Sequence, residues 1–262
     1  MINLKKLDVN NFSTWKEYYF QYQKLLAADY YIPRLKSWGV DISINGNILD
    51  IGCGDGGFIT AFKELNCECI GVEKKDFNWE LKNNVTFLVG DITEESFRQQ
   101  VKNKWDLVIL RDVIEHIPLN DKLIFLNAVY NLMTRNSTLL ITFPPFYSPF
   151  GLHQQTLLKS FLRFVPYLGW IPKRMLISIL NLIGDNQNTS EIDEIYDCKM
   201  TIRQFNHLIN ESGFIIKNHE KYLIRPSHEI RYGIKMRKAN LTDLPILREG
   251  LVTGCTFILS KN

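Results

Sequence analysis

The sequence predicts an α/β fold built on a doubly wound, mostly parallel sheet of seven strands. Three observations carry that expectation. Between residues 47 and 143, five short apolar runs alternate with stretches of helical character. Strands separated by helices close as right-handed crossovers and so build a parallel sheet. The first run, Asn47–Ile51, passes directly into a glycine-rich turn and a helix, the kind of junction at which open α/β sheets bind ligands. Beyond residue 200 a capped helix and two further strands complete the pattern.

Taken in chain order, residues 10–38 read as helical and carry Trp15, Tyr18, Tyr19, Tyr22, Tyr30 and Tyr31. Residues 1–44 are therefore assigned to an N-terminal helical region. The core strands are Asn47–Ile51, Cys67–Glu73, Val85–Val89, Asp106–Leu110 and Thr138–Phe143, short and apolar as strands covered on both faces are. Between them lie Gly57–Leu65, a weak helical stretch around Asp76–Leu81, then Glu94–Val101 and Pro118–Thr134. The last is the clearest helix. Pro118 suits its first turn, and Leu119, Leu123, Leu126, Tyr130 and Met133 recur at helical spacing. The pattern breaks over residues 144–200, read as a helical cap inserted into the core. It resumes with Thr201-x-x-Gln204, a capping-box signature, and a helix that Gly213 can terminate. The core thus comprises residues 45–143 and 201–262, with late strands at Phe214–Ile216 and Thr256–Ser260. The connection between those strands, about residues 223–252, is longer than compact folds use and hints at a substrate-facing role.

Bulk properties exclude several classes. A chain of 262 residues can form one large α/β domain or a domain with a small cap. Its 45% hydrophobic and 23% charged residues are ordinary for a soluble globular protein. A net charge of +3 is too small to argue for nucleic acid as a partner. The first twenty residues contain no apolar signal core, and no apolar run approaches the roughly 18 residues that span a bilayer. Five cysteines, odd in number and without a C-x-x-C pair, argue against a disulfide framework or a zinc site. A cytoplasmic location is the expectation.

The chemistry concentrates at Ile48-Leu-Asp-Ile-Gly-Cys-Gly-Asp-Gly-Gly57. Glycines allow a sharp turn and close approach of a ligand, but Gly52-x-Gly54-x-x-Gly57 fits a dinucleotide fingerprint equally well. The neighbouring acids discriminate. Asp50 stands two residues before the first glycine, where a carboxylate suits a cofactor bearing an ammonium and a sulfonium and disfavours a pyrophosphate. Glu73 ends the second strand, where it can accept ribose hydroxyls. Gly90-Asp91-Ile92 follows the third strand, within reach of an adenine amino group. Each acid alone could be a helix cap or surface charge. All three falling at successive strand ends point to a site.

These segments, followed by Trp105-Asp-Leu-Val-Ile-Leu-Arg-Asp-Val-Ile-Glu-His116 as the fourth strand and its exit loop, resemble the class I S-adenosylmethionine-dependent methyltransferase superfamily. The exit loop is particularly similar to the ubiquinone-biosynthesis-like (type 11) subgroup. The resemblance covers residues 45–145 well and 201–262 loosely. It implies a Rossmann-like sheet with an antiparallel final strand, and S-adenosylmethionine as the cofactor. It also implies that Gly52 and Cys53 flank the methionine moiety, that Glu73 holds the ribose, and that Asp91 and Ile92 frame the adenine. Arg111 or Asp112 would lie near the sulfonium, and Asp50, Gly54 and Lys74 are further expected cofactor contacts.

The acceptor is less legible. His116, in the fourth strand's exit loop, and His153, after the fifth strand, are candidate general bases for a hydroxyl, and either could instead support its own loop. Asp112, Glu115 and His116 form a minority candidate for a divalent metal, so no metal ligand is assigned. Phe143-Pro-Pro-Phe146 is not the motif of nucleic-acid amino-methyltransferases, because Phe143 cannot accept a hydrogen bond and the motif follows the fifth strand. Leu157–Ile183 is apolar, aromatic and purely basic, which fits either a cap packed on its own domain or peripheral contact with an anionic membrane. The stretch Glu191, Asp193, Glu194 and Asp197 reads most simply as a solvated loop. Arg225, His228, Arg231, Lys235, Arg237 and Lys238 could grip a phosphate or carboxylate of the acceptor, or form a solvated face. The expectation is O-methylation of a small-molecule, sugar or lipid-linked acceptor. An NAD-dependent oxidoreductase and a non-catalytic binding protein are the alternatives.

Overall fold

The computed structural model describes residues 4–40, 42, 45–79, 84–240 and 244–262. Its strands are β1 Asn47–Ile51, β2 Glu68–Glu73, β3 Thr86–Val89, β4 Trp105–Arg111, β5 Met133–Phe143, β6 Phe214–Ile224, β7 Arg237–Lys238 and β8 Gly254–Lys261. They form one sheet in the order β3-β2-β1-β4-β5-β8-β6-β7. Strands β1 to β5 pair in parallel, and β8 inserts antiparallel between β5 and β6. Seven of these strands match the expected ones. The eighth, β7, is a two-residue edge strand inside the long connection. Chain order reverses direction between β1 and β4, which opens a crevice at the carboxyl ends of these two strands.

The helices are α1 Trp15–Leu26, α2 Ile32–Ser37, α3 Gly57–Lys63, α4 Glu95–Gln100, α5 Lys122–Leu132, α6 Gln154–Leu157, α7 Lys173–Ile183, α8 Thr189–Cys198, α9 Ile202–Ser212, α10 Pro226–Tyr232 and α11 Pro245–Leu251. Alternation along β4 shows why the sheet is wound on both sides. Val108 and Leu110 enter one core with Leu126, Val129 and Phe205, from α5 and α9. Leu107 and Ile109 enter a second core with Leu26, Ile59 and Phe62, from α1 and α3. Inside the insertion, Phe146, Leu152, Leu168, Leu176, Leu180 and Ile192 make a third apolar cluster.

Local signals explain several boundaries. Thr201 accepts a hydrogen bond from the Gln204 N–H at 3.1 Å while the Gln204 side chain accepts from Thr201 N–H at 3.0 Å, a reciprocal cap for α9. Helix α5 starts at Lys122, later than the expected Pro118. Ile117 takes an extended conformation, as residues before proline prefer, and Pro118–Asp121 forms a turn first. Strand β5 begins at Met133, directly after α5 and five residues earlier than expected, because Met133 pairs with Trp105. Asp76 to Trp79 are irregular, not helical. The Trp79 ring instead stacks on Phe87 at 4.7 Å. The remainder of the expected Asp76–Leu81 stretch lies outside the described residues. Among those residues no helix is long and apolar enough to cross a membrane.

Candidate active site

At the end of β1 the backbone turns at Gly52 with φ of +76°, a conformation that disfavours any side chain. A Cβ there would also lie 2.3 Å from Val113 Cγ2. The N–H groups of Gly52 and Cys53 both donate to the Val72 carbonyl, at 2.8 and 3.2 Å, which pins the turn to β2. Gly54 N–H donates to Glu73 Oε1 and Lys74 N–H to Glu73 Oε2, each at 3.0 Å. Trp79 Nε1 donates to the Gly54 carbonyl at 2.8 Å. The third glycine serves packing. A Cβ on Gly57 would lie 2.3 Å from the Phe20 carbonyl oxygen, so this residue admits α1 and not a ligand.

A cavity of about 630 Å³ opens beside this turn. Of the expected site residues, the structure brings Gly52, Glu73, Lys74, Asp91, Ile92, Asp112 and His116 to its wall. Asp91 accepts from Thr93 N and Oγ1 at 2.8 Å and pairs with Lys74 Nζ at 2.7 Å. Burial would raise its carboxyl, but Lys74 and Thr93 hold it below the usual value. Asp50, Cys53, Gly54, Arg111 and His153 do not line this cavity. Asp50 is buried, and that burial raises its carboxyl to about 7 although Arg111 opposes the shift. The Cys53 sulfur packs against the Gly71 backbone, and burial pushes its thiol up. Arg111 lies over the Phe58 ring, 4.9 Å from its centre.

The loop after β4 is held by ion pairs and buried carbonyls. Asp112, at φ +56°, accepts from Arg225 Nη2 at 2.8 and 2.7 Å and from Thr142 Oγ1 at 3.0 Å. Burial would raise the Asp112 carboxyl, but Arg225 and Arg111 hold it at about 2. The Lys122 ammonium donates to the carbonyls of Ile114, Ile117 and Cys198, at 2.5, 2.6 and 2.7 Å, clamping the loop against the insertion. His116 and His153 lie 5.7 Å apart between ring centres. Burial, then the His116 beside it, lowers His153 to about 4. His116 is exposed to the cleft but flanked by protein, and this partial desolvation lowers its pKa too.

Known proteins share this fold. A model of the methyltransferase-domain family matches residues 34–216, well over half of the chain. The chain belongs to the methyltransferase-domain family. Similar folds include an S-adenosylmethionine-dependent methyltransferase from Archaeoglobus fulgidus, with TM-score 0.53 and 15% identity, covering 93% of this chain and 100% of that one. A second, from Clostridium acetobutylicum, has TM-score 0.53 and 10% identity over 92% of each chain. A magnesium protoporphyrin IX methyltransferase from Synechocystis, with bound SAH (S-adenosylhomocysteine), has TM-score 0.50 and 14% identity, covering 99% and 90%. No curated protein sequence matches. The chain is an S-adenosylmethionine-dependent methyltransferase of the Rossmann-like class I fold. The side-chain-free Gly52 turn and the carboxylates of Glu73 and Asp91 along one wall fit that cofactor.

Two readings that the sequence left open are not met in the structure. Among the described residues no group of three or more His, Cys, Asp or Glu side chains can hold a metal ion, so Asp112, Glu115 and His116 do not form a ligand set. None of the six basic residues of the late connection lines this cavity or the smaller one at His153. Arg225 is bound to Asp112, Arg231 lies over the Tyr22 and Tyr232 rings, and Lys238 pairs with Glu220. Helix α10 packs on α1, which turns this segment away from the cleft. Phe77, Asp121 and Glu194 also line the larger cavity, though no sequence motif marked them, as does Val113 of the exit-loop motif. Phe77 sits in the weak stretch before β3, where periodicity carries no signal.

Proposed function

We propose that this methyltransferase transfers its methyl group to a hydroxyl of a small-molecule, sugar or lipid-linked acceptor, with His116 as the general base. The observation that carries the choice of base is position: His116 lines both the larger cavity and the adjoining one of about 300 Å³. His153 lines only the smaller cavities and packs against His116.

When bound, S-adenosylmethionine supplies a methyl group on a cationic sulfur, which needs alignment more than activation. The chain's part is to hold donor and acceptor in line and to take a proton. Glu73 and Asp91 are proposed to hold the ribose and adenine ends, with Gly52 leaving room for the methionine end. The acceptor oxygen forms its bond to the methyl carbon as the carbon–sulfur bond breaks. The electron pair stays on sulfur and the hydroxyl proton passes to His116. Lowered below its usual 6.5, His116 is neutral at pH 7 and free to accept that proton.

His116→Ala should lower kcat for labelled methyl transfer by about 10²–10⁴-fold, while S-adenosylhomocysteine still binds in calorimetry. In the wild type, kcat should rise with pH through a value below 6.5 and stay flat through neutrality. An unchanged kcat in His116→Ala removes the base assignment.

The outer face of the insertion is proposed to rest on an anionic bilayer surface. Phe161 and Phe164 are each 71% exposed and Leu182 is 87% exposed. Arg174 is near them in sequence, and Arg163 lies over the Phe164 ring at 5.2 Å. Exposed aromatics beside cations are what such a surface attracts.

A further inference from the structure

The loop that carries His116 is held in place by a single buried ammonium. Lys122 is the first residue of α5 and has 0% exposure. A lysine is almost never that buried unless its charge finds partners. Its Nζ donates to the carbonyls of Ile114, Ile117 and Cys198 at 2.5, 2.6 and 2.7 Å. An ammonium has three N–H donors, so all three are engaged. Building on the reading of His116 as the base, we propose that Lys122 is its positioning residue. Through these carbonyls it fixes the His116 ring where the two cavities meet.

Two of the carbonyls bracket the base. Ile114 opens the short turn Ile114–His116, and Ile117 follows it directly. The third belongs to Cys198, the last residue of α8, where helix carbonyls lack intrahelical partners and a cation is favoured. Helix α8 also supplies Glu191, Glu194 and Ile195 to the wall of the smaller cavity. Lys122 therefore joins the loop bearing the base to the helix that walls the cavity beside it. A second bond crosses the same seam, from Leu119 N–H to the Asp197 carbonyl at 3.1 Å. Within the turn, His116 N–H donates to Val113 at 2.9 Å and Ile117 N–H to Ile114 at 3.4 Å. Neither of these bonds reaches the insertion.

Local sequence does not account for this placement. The first turn of a helix disfavours a cation, and burial lowers the Lys122 ammonium to about 8. The fold bears that cost, and three charge-assisted hydrogen bonds offset it. Lys122 lines neither cavity, so it acts on the reaction through the loop and not by contact. A base must lie within hydrogen-bond reach of the hydroxyl it deprotonates. Misplacement by about 1 Å can cost about 10²-fold in rate.

Imidazole NMR tests this without an identified acceptor. The chain has five histidines, and the His116 signals are assigned by their loss in His116→Ala. In the wild type the His116 and His153 rings, 5.7 Å apart between centres, should show cross-relaxation. Lys122→Gln, with two donors on a shorter stem, should weaken that cross-peak and shift the His116 signals. Those of His207, His219 and His228 should stay in place, whereas a general loosening of the fold would move them too. Labelled methyl transfer to a total lipid and small-molecule extract supplies the functional arm. At saturating donor, Lys122→Gln should lower the rate by about 10²-fold. It should lower it no further once His116 is replaced by Ala, because residues that act as one unit are not additive. If Lys122→Gln does not bind S-adenosylhomocysteine and so has not folded, Lys122→Arg, which keeps the cation in a differently shaped head, should give the same pattern with a smaller loss. Unmoved His116 signals, or equal proportional losses of rate with and without the His116 ring, overturn Lys122 as the positioning residue. Transfer at the wild-type rate in His116→Ala overturns instead the base assignment on which the proposal rests.

Discussion

Asp112 was expected to touch the cofactor, and in the structure it also anchors the cleft. Its carboxylate ties Arg225 of the distant late connection to the exit loop of β4, with Thr142 of β5 as a third partner. That geometry has a pH consequence. The folded carboxyl is held at about 2, below the ordinary 3.8, so the unfolded chain binds the proton more readily. The interaction stabilises fully above pH of about 4 and is lost as pH falls towards 2, a contribution of about 2 kcal/mol by linkage. Asp112→Asn would leave the Arg225 guanidinium largely buried without its counter-ion, costing roughly 3 kcal/mol. A melting temperature lower by about 5–10 °C at pH 7 is expected, with the gap between variant and wild type closing as pH approaches 2. Scanning calorimetry across pH checks both statements. No signal in the sequence pairs Asp112 with Arg225, since the two stand 113 positions apart and each charge could have been solvated.

At the scale of elements, strands and their glycine turn were legible and connections were not. Buried parallel strands are continuous apolar runs, so β1, β2, β4 and β5 declare themselves locally. The segment before β3 does not, because Trp79 and Phe77 are placed by stacking against Phe87 and each other and not by a repeating pattern. The late connection misled for the same reason. Its basic residues look like an anion grip in a linear reading, yet α10 packs on α1 and sends them to other partners. The insertion keeps its own apolar cluster and still exposes Phe161, Phe164 and Leu182. Replacing Phe161 and Phe164 together by Ser should reduce co-sedimentation with vesicles rich in anionic phospholipid by about tenfold or more, given that each buried apolar side chain contributes roughly 1.5–3 kcal/mol. Equal sedimentation of variant and wild type would remove the bilayer as the partner of this face.

For the whole molecule, the strand order places two kinds of chemistry at one edge. The switch point between β1 and β4 receives the Gly52 turn, and the exit loops of β4 and β5 bring His116 and His153 together beside it. The dinucleotide alternative meets its test here. S-adenosylhomocysteine at about 100 times its dissociation constant should stabilise the fold by roughly 2.7 kcal/mol, visible as a rise in melting temperature that NAD does not produce. Stabilisation by NAD alone would contradict the cofactor assignment.

The sequence by itself determined the alternating core, the Gly52 turn and the acids at successive strand ends. These are local patterns, in which a few neighbouring residues dictate backbone conformation and end-of-strand chemistry. The resemblance that implied the cofactor rests on them. Only the tertiary structure decided which of these acids lines a cavity: Glu73 and Asp91 do, while Asp50 is buried away from it. Only folding, too, carried Glu191 and Glu194 of the insertion to the rim beside His116. Charges read in a line are indistinguishable from a solvated face. Whether a charge is solvated, paired or aimed at a ligand is set by neighbours that lie tens of residues away in sequence.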